Sequence, residues 1–471
     1  MNENPYRLLP AVAIVLEHPQ LVAVRGHYAH EAIATAVRAE IDALRQKIVA
    51  GETIANDVDA LVSRVIARLA EDNRSTIRTV INATGIVLHT NLGRSPMAEA
   101  AALAAYEAAR GYLNLELDLG TGKRSSRQDN VRDGLCQITG AESATCVNNC
   151  AAATVIVLRT LAMGKEVIVS RGQLIEIGGS FRIPDIMTVS GASLREVGTT
   201  NITRIGDYAA AIGPNTGAIM RIHTSNFRVR GFTKSVGIDA LVELGRKQNI
   251  PVIDDVGSGA VVDFAKYGLD GEPPITEGIR AGADVALFSG DKLLGGPQVG
   301  IIAGKKNWIE RIERDPMMRA LRLDKMTLAA LEATLRLYRD PVAALREIPT
   351  LRMLTMPIHE LRSRAEAFAE RLRSVRALSA VEVRDDIAYV GGGSLPDEAL
   401  PTVVVAVTAH HHSESAMATR LRTSTPAVIG RVQDGRVLFD LRTVFDRQLD
   451  DLFAAICRAA NAPSQSDSAA I

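Results

Sequence analysis

Val285-Ala286-Leu287-Phe288-Ser289-Gly290-Asp291-Lys292 is the stretch that decides the fold. It begins as an apolar run and ends in polar and glycine residues, the pattern of a buried strand that brings a lysine to the edge of a sheet. The same strand pattern occurs in three other runs, Glu166–Ser170, Gly217–Ile222 and Pro251–Asp255. An amphipathic helix is predicted from the spacing of apolar residues over Ile238–Gln248. Strands that alternate with helices predict parallel βαβ units in a layered α/β sheet.

Three regions of different character divide the 471 residues, a length that suits two or three domains. Residues 1–75 are expected to form a helical module, because apolar residues recur at helical spacing over Glu31–Val49 and Ile54–Leu69. Residues 76–345 contain the alternating strands and helices and are expected to form the large domain. Residues 346–471 are expected to form a smaller C-terminal α/β domain.

The smaller domain carries a hairpin signal. Apolar runs at Val428–Val432 and Val437–Leu441 flank the dipeptide Asp434-Gly435. Asp-Gly between two such runs favours a two-residue turn, so a pair of antiparallel strands is predicted here. A further strand is predicted over Thr402–Val407.

The charge balance argues against a protein that binds nucleic acid with its whole surface. The chain has 54 basic and 54 acidic residues, so it lacks the broad positive field of such proteins. Through residue 70 the helical module has seven basic and eight acidic residues, a net charge of −1, which does not by itself indicate RNA binding. Neither a signal-peptide pattern nor a membrane-spanning run of about 18 apolar residues is present, so a cytoplasmic protein without membrane contact is expected.

Cysteine and histidine content gives no sign of a metal centre. His410-His411-His412 follows a predicted strand, where a solvated loop is favoured over a metal site. The cysteines are too few for a disulfide framework at this length and are not spaced as zinc ligands. They are Cys136, Cys146, Cys150 and Cys457.

The first chemical feature is Asn148-Asn149-Cys150-Ala151-Ala152-Ala153, followed by an apolar helix predicted over Thr154–Met163. Small residues at the start of a helix let its free N–H groups approach a phosphate, whose charge the helix dipole also favours. Taken alone, the run suits an ordinary asparagine-capped helix equally well.

The second feature is the end of an apolar strand, Ile253-Asp254-Asp255-Val256-Gly257-Ser258-Gly259. A carboxylate there is suited to pair with a protonated pyridine nitrogen. We choose Asp255 over Asp254, because Ser258 then follows three positions later and is able to reach a ring hydroxyl. An acidic pair that binds metal is the alternative, but no histidine or further carboxylate lies nearby in the sequence.

The third feature is Lys292 itself, which lies three positions after Ser289. A Schiff-base lysine needs a partly desolvated, glycine-lined pocket, and Ser289 is placed to donate to a phosphate. A single lysine at a strand end is more often a surface charge. The order of phosphate cup, aspartate and lysine is that of a pyridoxal-phosphate (PLP) site, so PLP is predicted as the cofactor and Lys292 as the catalytic lysine.

Longer runs carry a resemblance to a known family. They include Val80–Arg94 (VINATGIVLHTNLGR), Glu166–Ile186, Val197–Asn201, His223–Asn226, Gly231–Lys234, Asp255–Gly259, Phe288–Gln298 and Arg319–Thr327. Through these runs, and over essentially its whole length, the chain resembles the bacterial selenocysteine synthases, the L-seryl-tRNA(Sec) selenium transferases.

The resemblance implies a fold-type-I, aminotransferase-like PLP-dependent transferase with a mainly parallel sheet. It implies conversion of L-seryl-tRNA(Sec) to L-selenocysteinyl-tRNA(Sec) with selenophosphate, by β-elimination to an aminoacrylyl-tRNA and addition of selenium. It further implies a homo-oligomeric ring built from dimers, expected to be a decamer. In such an enzyme the helical N-terminal module helps to select the tRNA.

The resemblance also implies that Arg94, Arg319 and Arg322 lie where selenophosphate reacts. Guanidinium groups suit the oxygens of a compact polyanion. Arg319 and Arg322 are three positions apart and are expected to share one helix face, for which simple solvation is the alternative. His89 and Asp291 complete the candidate substrate-binding set, although His89 suits an ordinary packing role equally well.

Two stretches depart from the expected family pattern. Leu119–Arg127 is less rich in glycine than expected, and the role of its basic residues stays open. Cys150 stands where another asparagine is expected. A backbone contact with phosphate survives that change, whereas a side-chain contact does not.

Two other functions remain open at this point. One is a PLP-dependent lyase acting on a small amino acid or an amino-sugar-acid phosphate, against which the helical module and the Arg319–Arg322 run speak. The other is a tRNA-binding protein without catalytic activity, against which Lys292, Asp255 and the phosphate cup speak.

Overall fold

The computed structural model describes residues 5–52, 57–178 and 181–461. The chain divides into two compact units, Met1–Thr79 and Val80–Ile471. The first unit thus ends close to the predicted limit at residue 75. The predicted division of the second unit at residue 345 stays a prediction.

The first unit is helical. Its helices are α1 (Val12–Leu16), α2 (Pro19–Ala23), α3 (His30–Val49) and α4 (Val58–Asp72). Ile33 and Val37 of α3 pack with Leu61 and Val65 of α4, so the apolar faces that the spacing predicts form its core. Asp57 caps α4 by accepting a hydrogen bond from the Ala60 N–H at 2.9 Å. Ile54, which the sequence adds to this pattern, lies outside the described residues.

The second unit combines strands and helices. Its strands in the described chain are β1 (Val80–Asn82), β2 (Ser143–Val147), β3 (Glu166–Ser170), β4 (Glu176–Ile177), β5 (Phe181–Arg182), β6 (Ser193–Val197), β7 (Thr216–Ile222), β8 (Val252–Gly257), β9 (Val285–Ser289), β10 (Gly300–Gly304), β11 (Leu378–Tyr389), β12 (Ala399–Ala409), β13 (Ala427–Ile429), β14 (Arg431–Gln433) and β15 (Arg436–Asp440). Its helices there are α5 (Glu99–Arg110), α6 (Asp129–Thr139), α7 (Cys150–Ala162), α8 (Ile183–Ser190), α9 (Ile205–Ala211), α10 (Ile238–Gln248), α11 (Thr276–Ala281), α12 (Lys306–Glu313), α13 (Lys325–Leu337), α14 (Pro341–Glu347), α15 (Pro349–Thr355), α16 (Ile358–Arg373), α17 (Glu414–Thr423) and α18 (Leu449–Asn461).

The large sheet has the order β2-β10-β9-β8-β7-β3-β6. The pairs β9–β8, β8–β7, β7–β3 and β3–β6 are parallel. Strand β10 is antiparallel to both of its neighbours, β2 and β9. Helices α10 and α11 connect β7 to β8 and β8 to β9, as expected for βαβ units.

Both faces of this sheet are covered, which explains why its strands read as continuous apolar runs. Ile219 of β7 packs with Leu241 of α10 on one face. The next residue, Met220, packs with Ile156 of α7 on the other face. Successive side chains of a strand point to opposite faces, so each face of a doubly covered sheet needs its own apolar set.

A second sheet, antiparallel and of order β11-β12-β15-β14, forms late in the chain. Strands β14 and β15 form the predicted hairpin, with positive φ at both Asp434 and Gly435. The predicted first strand of this hairpin, 428–432, is divided at Gly430. The segment before Gly430 is β13, which pairs in parallel with β1 instead. The beginning of the second unit is therefore built into the core of this smaller sheet, through Ile81 and Ala83.

No helix among the described residues is long and apolar enough to cross a membrane.

Candidate functional site

The candidate residues from the sequence meet at one edge of the large sheet. Gly300 of β10 pairs with Val147 at the end of β2 and with Ser289 at the end of β9. These two strand ends therefore lie at the same level, and the parallel strand β8 also ends at this edge. The phosphate cup follows β2, Lys292 follows β9, and Asp255 lies two residues before the end of β8, at the edge where ligands bind in sheets of this type.

The cup is the start of α7, which begins at Cys150 rather than at the predicted Thr154. The Asn149 side chain caps the helix by accepting from the Ala152 N–H at 2.9 Å, as the simpler interpretation of this run requires. The backbone N–H groups of Cys150 and Ala151 have no hydrogen-bond partner among the described residues. Two free N–H groups at the positive end of a helix suit an anion such as a phosphate.

The segment before the cup is tied to the arginine-bearing run. Asn148 donates from its backbone N–H to the carbonyl oxygen of Leu321 at 3.0 Å. Gly300 lies so close behind the cup that a Cβ there would stand 2.1 Å from the carbonyl oxygen of Asn149. Only glycine allows this approach of β10 to the start of the helix.

Asp254 and Asp255 have different surroundings, because neighbouring residues of β8 point to opposite faces of the sheet. Asp254 is buried and accepts two hydrogen bonds from Arg221, at 2.7 and 2.9 Å. A bidentate pair of this kind fixes Asp254 in a structural role. Asp255 stays as the carboxylate available to a ligand at this edge.

Asp255 is buried with a single weak partner. The Thr154 hydroxyl donates to its carboxylate at 3.5 Å. Burial raises the pKa of Asp255 to about 7, while the positive charge of Lys292 acts in the opposite direction. A buried carboxylate with so few donors suits a cationic ring nitrogen, which would supply both a charge and an N–H donor.

Ser258 lies in the turn that follows β8. Its side chain is fully buried, and its hydroxyl has no hydrogen-bond partner in the described chain. The Ser258 carbonyl oxygen accepts from the Leu293 N–H at 3.0 Å, so this turn is held against the turn that carries Lys292. A buried hydroxyl without a partner is costly, and a polar ligand would complete it.

Lys292 lies just after β9 and only 6% of its surface is exposed. The neighbouring Asp291 accepts from the Ser289 hydroxyl at 2.7 Å and from Arg94 Nη1 at 2.8 Å. The predicted donation from Ser289 to a phosphate stays a prediction, beside the contact that its hydroxyl makes with Asp291.

Arg94 approaches the site from the first loop of the second unit. Its backbone has φ +63°, a left-handed conformation that is strained for arginine. Its N–H donates to the His89 carbonyl oxygen at 3.0 Å, and the Ser95 N–H donates to the Asp291 carbonyl oxygen at 3.3 Å. His89 Nδ1 is buried and has no partner among the described residues. The loop therefore places Arg94 and His89 beside the turn that carries Lys292.

The sequence predicts that Arg319 and Arg322 share one face of a helix. This prediction is wrong, because the two residues do not lie on one regular helix. Arg319 ends a short 3₁₀ helix (Pro316–Arg319), and Arg322 follows it in the segment before α13. Both arginines line a cavity of about 270 Å³, and neither has an ion-pair partner in the described part of the chain. Leu321 between them accepts from the Asn148 N–H, so the segment that carries both arginines lies beside the start of the cup.

Sequence reasoning assigned no role to two further arginines of this cavity, Arg124 and Arg127. Arg124 pairs with Glu116 at 2.9 Å, and Arg127 also binds Glu116. Arg127 Nη1 donates to the carbonyl oxygen of Leu323 at 2.6 Å. The basic residues of the 119–127 loop were the available signal, but spacing alone does not show that this loop folds against residues 319–323.

Cys150 is a structural cysteine. Burial raises the pKa of its thiol, and the negative charge of Asp255 acts in the same direction. A thiol kept protonated in this way is a poor nucleophile. The prediction that Cys150 serves the cup through its backbone N–H stays a prediction.

Metal ligands are not clustered in the described residues, where no group of three or more histidine, cysteine, aspartate or glutamate side chains is placed to hold an ion. The features at the sheet edge fit PLP instead. They are two free N–H groups for a phosphate, a carboxylate short of donors for a ring nitrogen, an unpartnered hydroxyl, and a buried lysine at the end of β9.

Comparison with solved structures bears on the fold. The chain is similar to the structure of D-glucosaminate-6-phosphate ammonia-lyase, with a TM-score of 0.56 and 19% identity over 82% of this chain and 96% of that one. The predicted fold-type-I α/β class is confirmed.

Curated proteins of one name are similar to this chain over most of its length. The chain is 47% identical to a protein of Geobacter sulfurreducens named L-seryl-tRNA(Sec) selenium transferase, over 95% of this chain and 98% of that protein. Proteins of the same name in two other organisms are also similar. In Alkaliphilus metalliredigens the identity is 51% over 80% of both chains, and in Nitratidesulfovibrio vulgaris it is 49% over 89% of this chain and 90% of the relative.

Family profiles match both units of the structure. The profile described as selenocysteine synthase N terminal matches residues 6–45. The profile described as L-seryl-tRNA selenium transferase matches residues 80–445, most of the second unit. The chain therefore belongs to the L-seryl-tRNA selenium transferase family.

Proposed function

We propose that this protein converts L-seryl-tRNA(Sec) to L-selenocysteinyl-tRNA(Sec), with selenophosphate as the selenium donor and PLP as the cofactor. The observation that carries the proposal is the meeting of Lys292, Asp255 and the free N–H groups of α7 at one sheet edge, in a chain of this family. When bound, PLP supplies an electron sink that lets the β-hydroxyl of an attached serine leave and selenium take its place.

Each cofactor-binding residue then has a defined task. The N–H groups of Cys150 and Ala151 hold the phosphate, with Asn148 and Asn149 shaping the start of the helix. Asp255 holds the ring nitrogen in its protonated state, and the Ser258 hydroxyl bonds the ring oxygen. Ser289 orients Asp291 through its hydroxyl.

Lys292 has two tasks in succession. Its Nζ would hold the cofactor before the substrate binds. When its amine is not engaged with the cofactor, Lys292 would act as the general base that removes the proton from Cα of the serine. Its burial limits exchange with solvent and keeps this base beside the substrate.

The arginines supply the charge for the second substrate. Arg94 is held beside Lys292 by Asp291, while Arg319 and Arg322 line a shared cavity, in a segment that lies beside the start of the cup. Selenophosphate is a small polyanion that needs several cationic donors. Because the seryl substrate is an ester, its carboxyl group carries no charge, and no further cation is required to bind a free carboxylate.

The partners and location follow from the same proposal. Residues 1–75 form a helical domain that takes part in tRNA selection. Residues 76–345 form the cofactor-binding domain, and residues 346–471 form the smaller C-terminal domain. The enzyme works in the cytoplasm, as a homo-oligomer built from dimers into a decameric ring.

The decisive experiment incubates the purified protein with seryl-tRNA(Sec) and selenophosphate and identifies the amino acid released from the tRNA. Selenocysteine is expected, and replacement of Lys292 by Ala should abolish both this product and the absorbance of the lysine-bound cofactor. Free serine serves as the control substrate and should not react. Strong turnover of free serine, or a retained absorbance in the Lys292→Ala variant, would contradict the proposal.

A further inference from the structure

A second, basic groove lies at the opposite edge of the large sheet, where the parallel strands begin. Its walls come from Lys165 before β3, from Asn249–Pro251 before β8, and from Trp308 and Arg311 of α12. Its main cavity has a volume of about 570 Å³. A neighbouring cavity of about 300 Å³ shares Trp308 and Asn249–Pro251 with it. We call these two cavities together the amino-edge groove.

The amino-edge groove concentrates positive charge in a chain whose formal net charge is zero. Asp284 and Asp315 are the two acidic residues of its lining. Six basic residues line it, namely Arg159, Lys165, Arg246, Lys305, Arg311 and Arg314. The excess is therefore four positive charges, and such a local field attracts a polyanion.

Half of these basic residues are not neutralised by a neighbouring carboxylate. Lys165, Arg246 and Arg311 are exposed and have no ion pair among the described residues. Cations held near each other without partners repel, and this repulsion is relieved when an anion enters.

Trp308 adds an aromatic surface to this charged groove, and it is the single tryptophan of the chain. Its indole Nε1 donates to Asp284 Oδ1 at 3.2 Å, which fixes the orientation of the ring. The Arg311 guanidinium lies 5.5 Å from the ring centroid. An oriented, half-buried ring flanked by cations is the combination with which proteins hold single-stranded or unpaired nucleotides, because a base stacks on the ring while the phosphates meet the cations.

We propose that the amino-edge groove binds the phosphate backbone of the substrate tRNA, with one unpaired base against Trp308. This inference rests on the proposed function, which makes a tRNA the substrate. The first unit has a net charge of −1 through residue 70, whereas the lining of the amino-edge groove has an excess of four positive charges. The strands between the two sheet edges span only about 20 Å, at 3.3 Å per residue. A folded tRNA is several times longer, so contact at this edge is compatible with a seryl end at the other.

The test uses the full-length enzyme with bound cofactor and an uncharged tRNA(Sec) transcript. Intrinsic tryptophan fluorescence reports on Trp308 alone, and tRNA is expected to quench it with the same midpoint as filter binding. A triple variant, Lys165→Gln with Arg246→Gln and Arg311→Gln, should bind tRNA at least tenfold more weakly. Its plot of log affinity against log salt should lose about three in slope, close to one for each phosphate contact removed.

A matched control removes three exposed basic residues that also have no ion pair in the described chain, by Lys266→Gln, Arg280→Gln and Arg376→Gln. This control should bind tRNA like the wild type, which separates a specific groove from a general loss of charge. Cofactor absorbance and thermal unfolding of both triple variants verify that they fold.

Three results would overturn the inference. One is unchanged fluorescence while filter binding shows tRNA bound, and another is a groove variant with the affinity and salt slope of the wild type. The third is equal quenching by inorganic phosphate, which would make the groove a small-anion site. Failure of the proposed function appears differently, as a wild-type enzyme that forms no selenocysteinyl-tRNA.

Discussion

Asp255 offers a direct test of the site in the cofactor-free protein. Its carboxyl is buried, and its single hydrogen bond is the long contact from Thr154. Without a cationic ligand, the ionised form of this buried carboxyl lowers the free energy of unfolding, because the charge is less well solvated in the folded chain than in the unfolded chain. We therefore predict that Asp255→Asn makes the cofactor-free protein more stable at alkaline pH, while it weakens cofactor binding.

The magnitude follows from the pKa, which burial raises from 3.8 to about 7. Well below pH 3.8 the carboxyl is protonated in both the folded and the unfolded chain and does not affect stability. As the pH rises from 3.8 to about 7, the unfolded chain ionises freely while the folded chain stays protonated, so stability falls. A change of one in pKa corresponds to about 1.4 kcal/mol, which makes the loss above pH 7 at most about 4 kcal/mol. Asparagine has no such loss.

The assay is urea unfolding of the cofactor-free wild type and variant at about pH 5 and about pH 8. The Asp255→Asn variant should gain about 2–3 kcal/mol more free energy of unfolding at the higher pH than at the lower one. Asp254→Asn is the matched control, because the same change there leaves the buried Arg221 without its carboxylate. It should lose about 3–5 kcal/mol at both pH values.

The reasoning is refuted if Asp255→Asn is no more stable than the wild type at about pH 8, or if its gain is equal at both pH values. The second half of the prediction is measured separately, by titration of each protein with PLP. Unaltered PLP affinity in Asp255→Asn would remove Asp255 from the candidate site.

Three further predictions concern other parts of the chain. Arg94→Ala should raise the KM for selenophosphate at least tenfold while the cofactor absorbance is retained, since a charge-assisted contact contributes about 1.5–3 kcal/mol; an unchanged KM in steady-state assays would count against it. Gly85→Ala should lower the free energy of unfolding in urea by about 2 kcal/mol or more, because φ is +80° and the new Cβ would stand 2.1 Å from Asp440 Oδ2; full stability would contradict the described turn. Leu61→Ala should cost the first unit about 2–5 kcal/mol, measured by hydrogen exchange of its helices, and unchanged protection would show that this side chain is not part of its core.

Much of the large sheet follows from local pattern. The run Val285–Phe288, which leads to Ser289, is continuous and apolar because both faces of the sheet are covered, and that pattern is visible in sequence. Helix α10 has the predicted bounds, Ile238–Gln248, since its apolar spacing and the flanking glycine and asparagine coincide. Asp255 is chosen over Asp254 because Ser258 follows it by three positions in the sequence. The ion pair of Asp254 with Arg221 is consistent with that choice.

Features that depend on distant residues were not predictable in this way. Strand β10 runs antiparallel to both of its neighbours, and no local signal distinguishes an antiparallel from a parallel apolar run. Three-residue spacing suggests one helix face for Arg319 and Arg322, but Pro316 begins a 3₁₀ turn that ends before Arg322. The cavity they share with Arg127 requires a loop almost 200 positions earlier in the chain, a pairing that only the fold reveals.

The pairing of β1 with β13 has a consequence for the order of events during synthesis. Val80 pairs with Ala427, and the Gly85 N–H donates to the Thr443 hydroxyl, 358 positions later. The segment that leads into the loop bearing His89 and Arg94 therefore lacks its contacts with β13 and Thr443 until almost the whole polypeptide has left the ribosome. Contacts of such long sequence separation form late, because a large loss of chain entropy precedes them. The lysine turn and the helix start can fold earlier, so the carboxyl edge of the large sheet can form before the segment Val80–Gly85 is fixed.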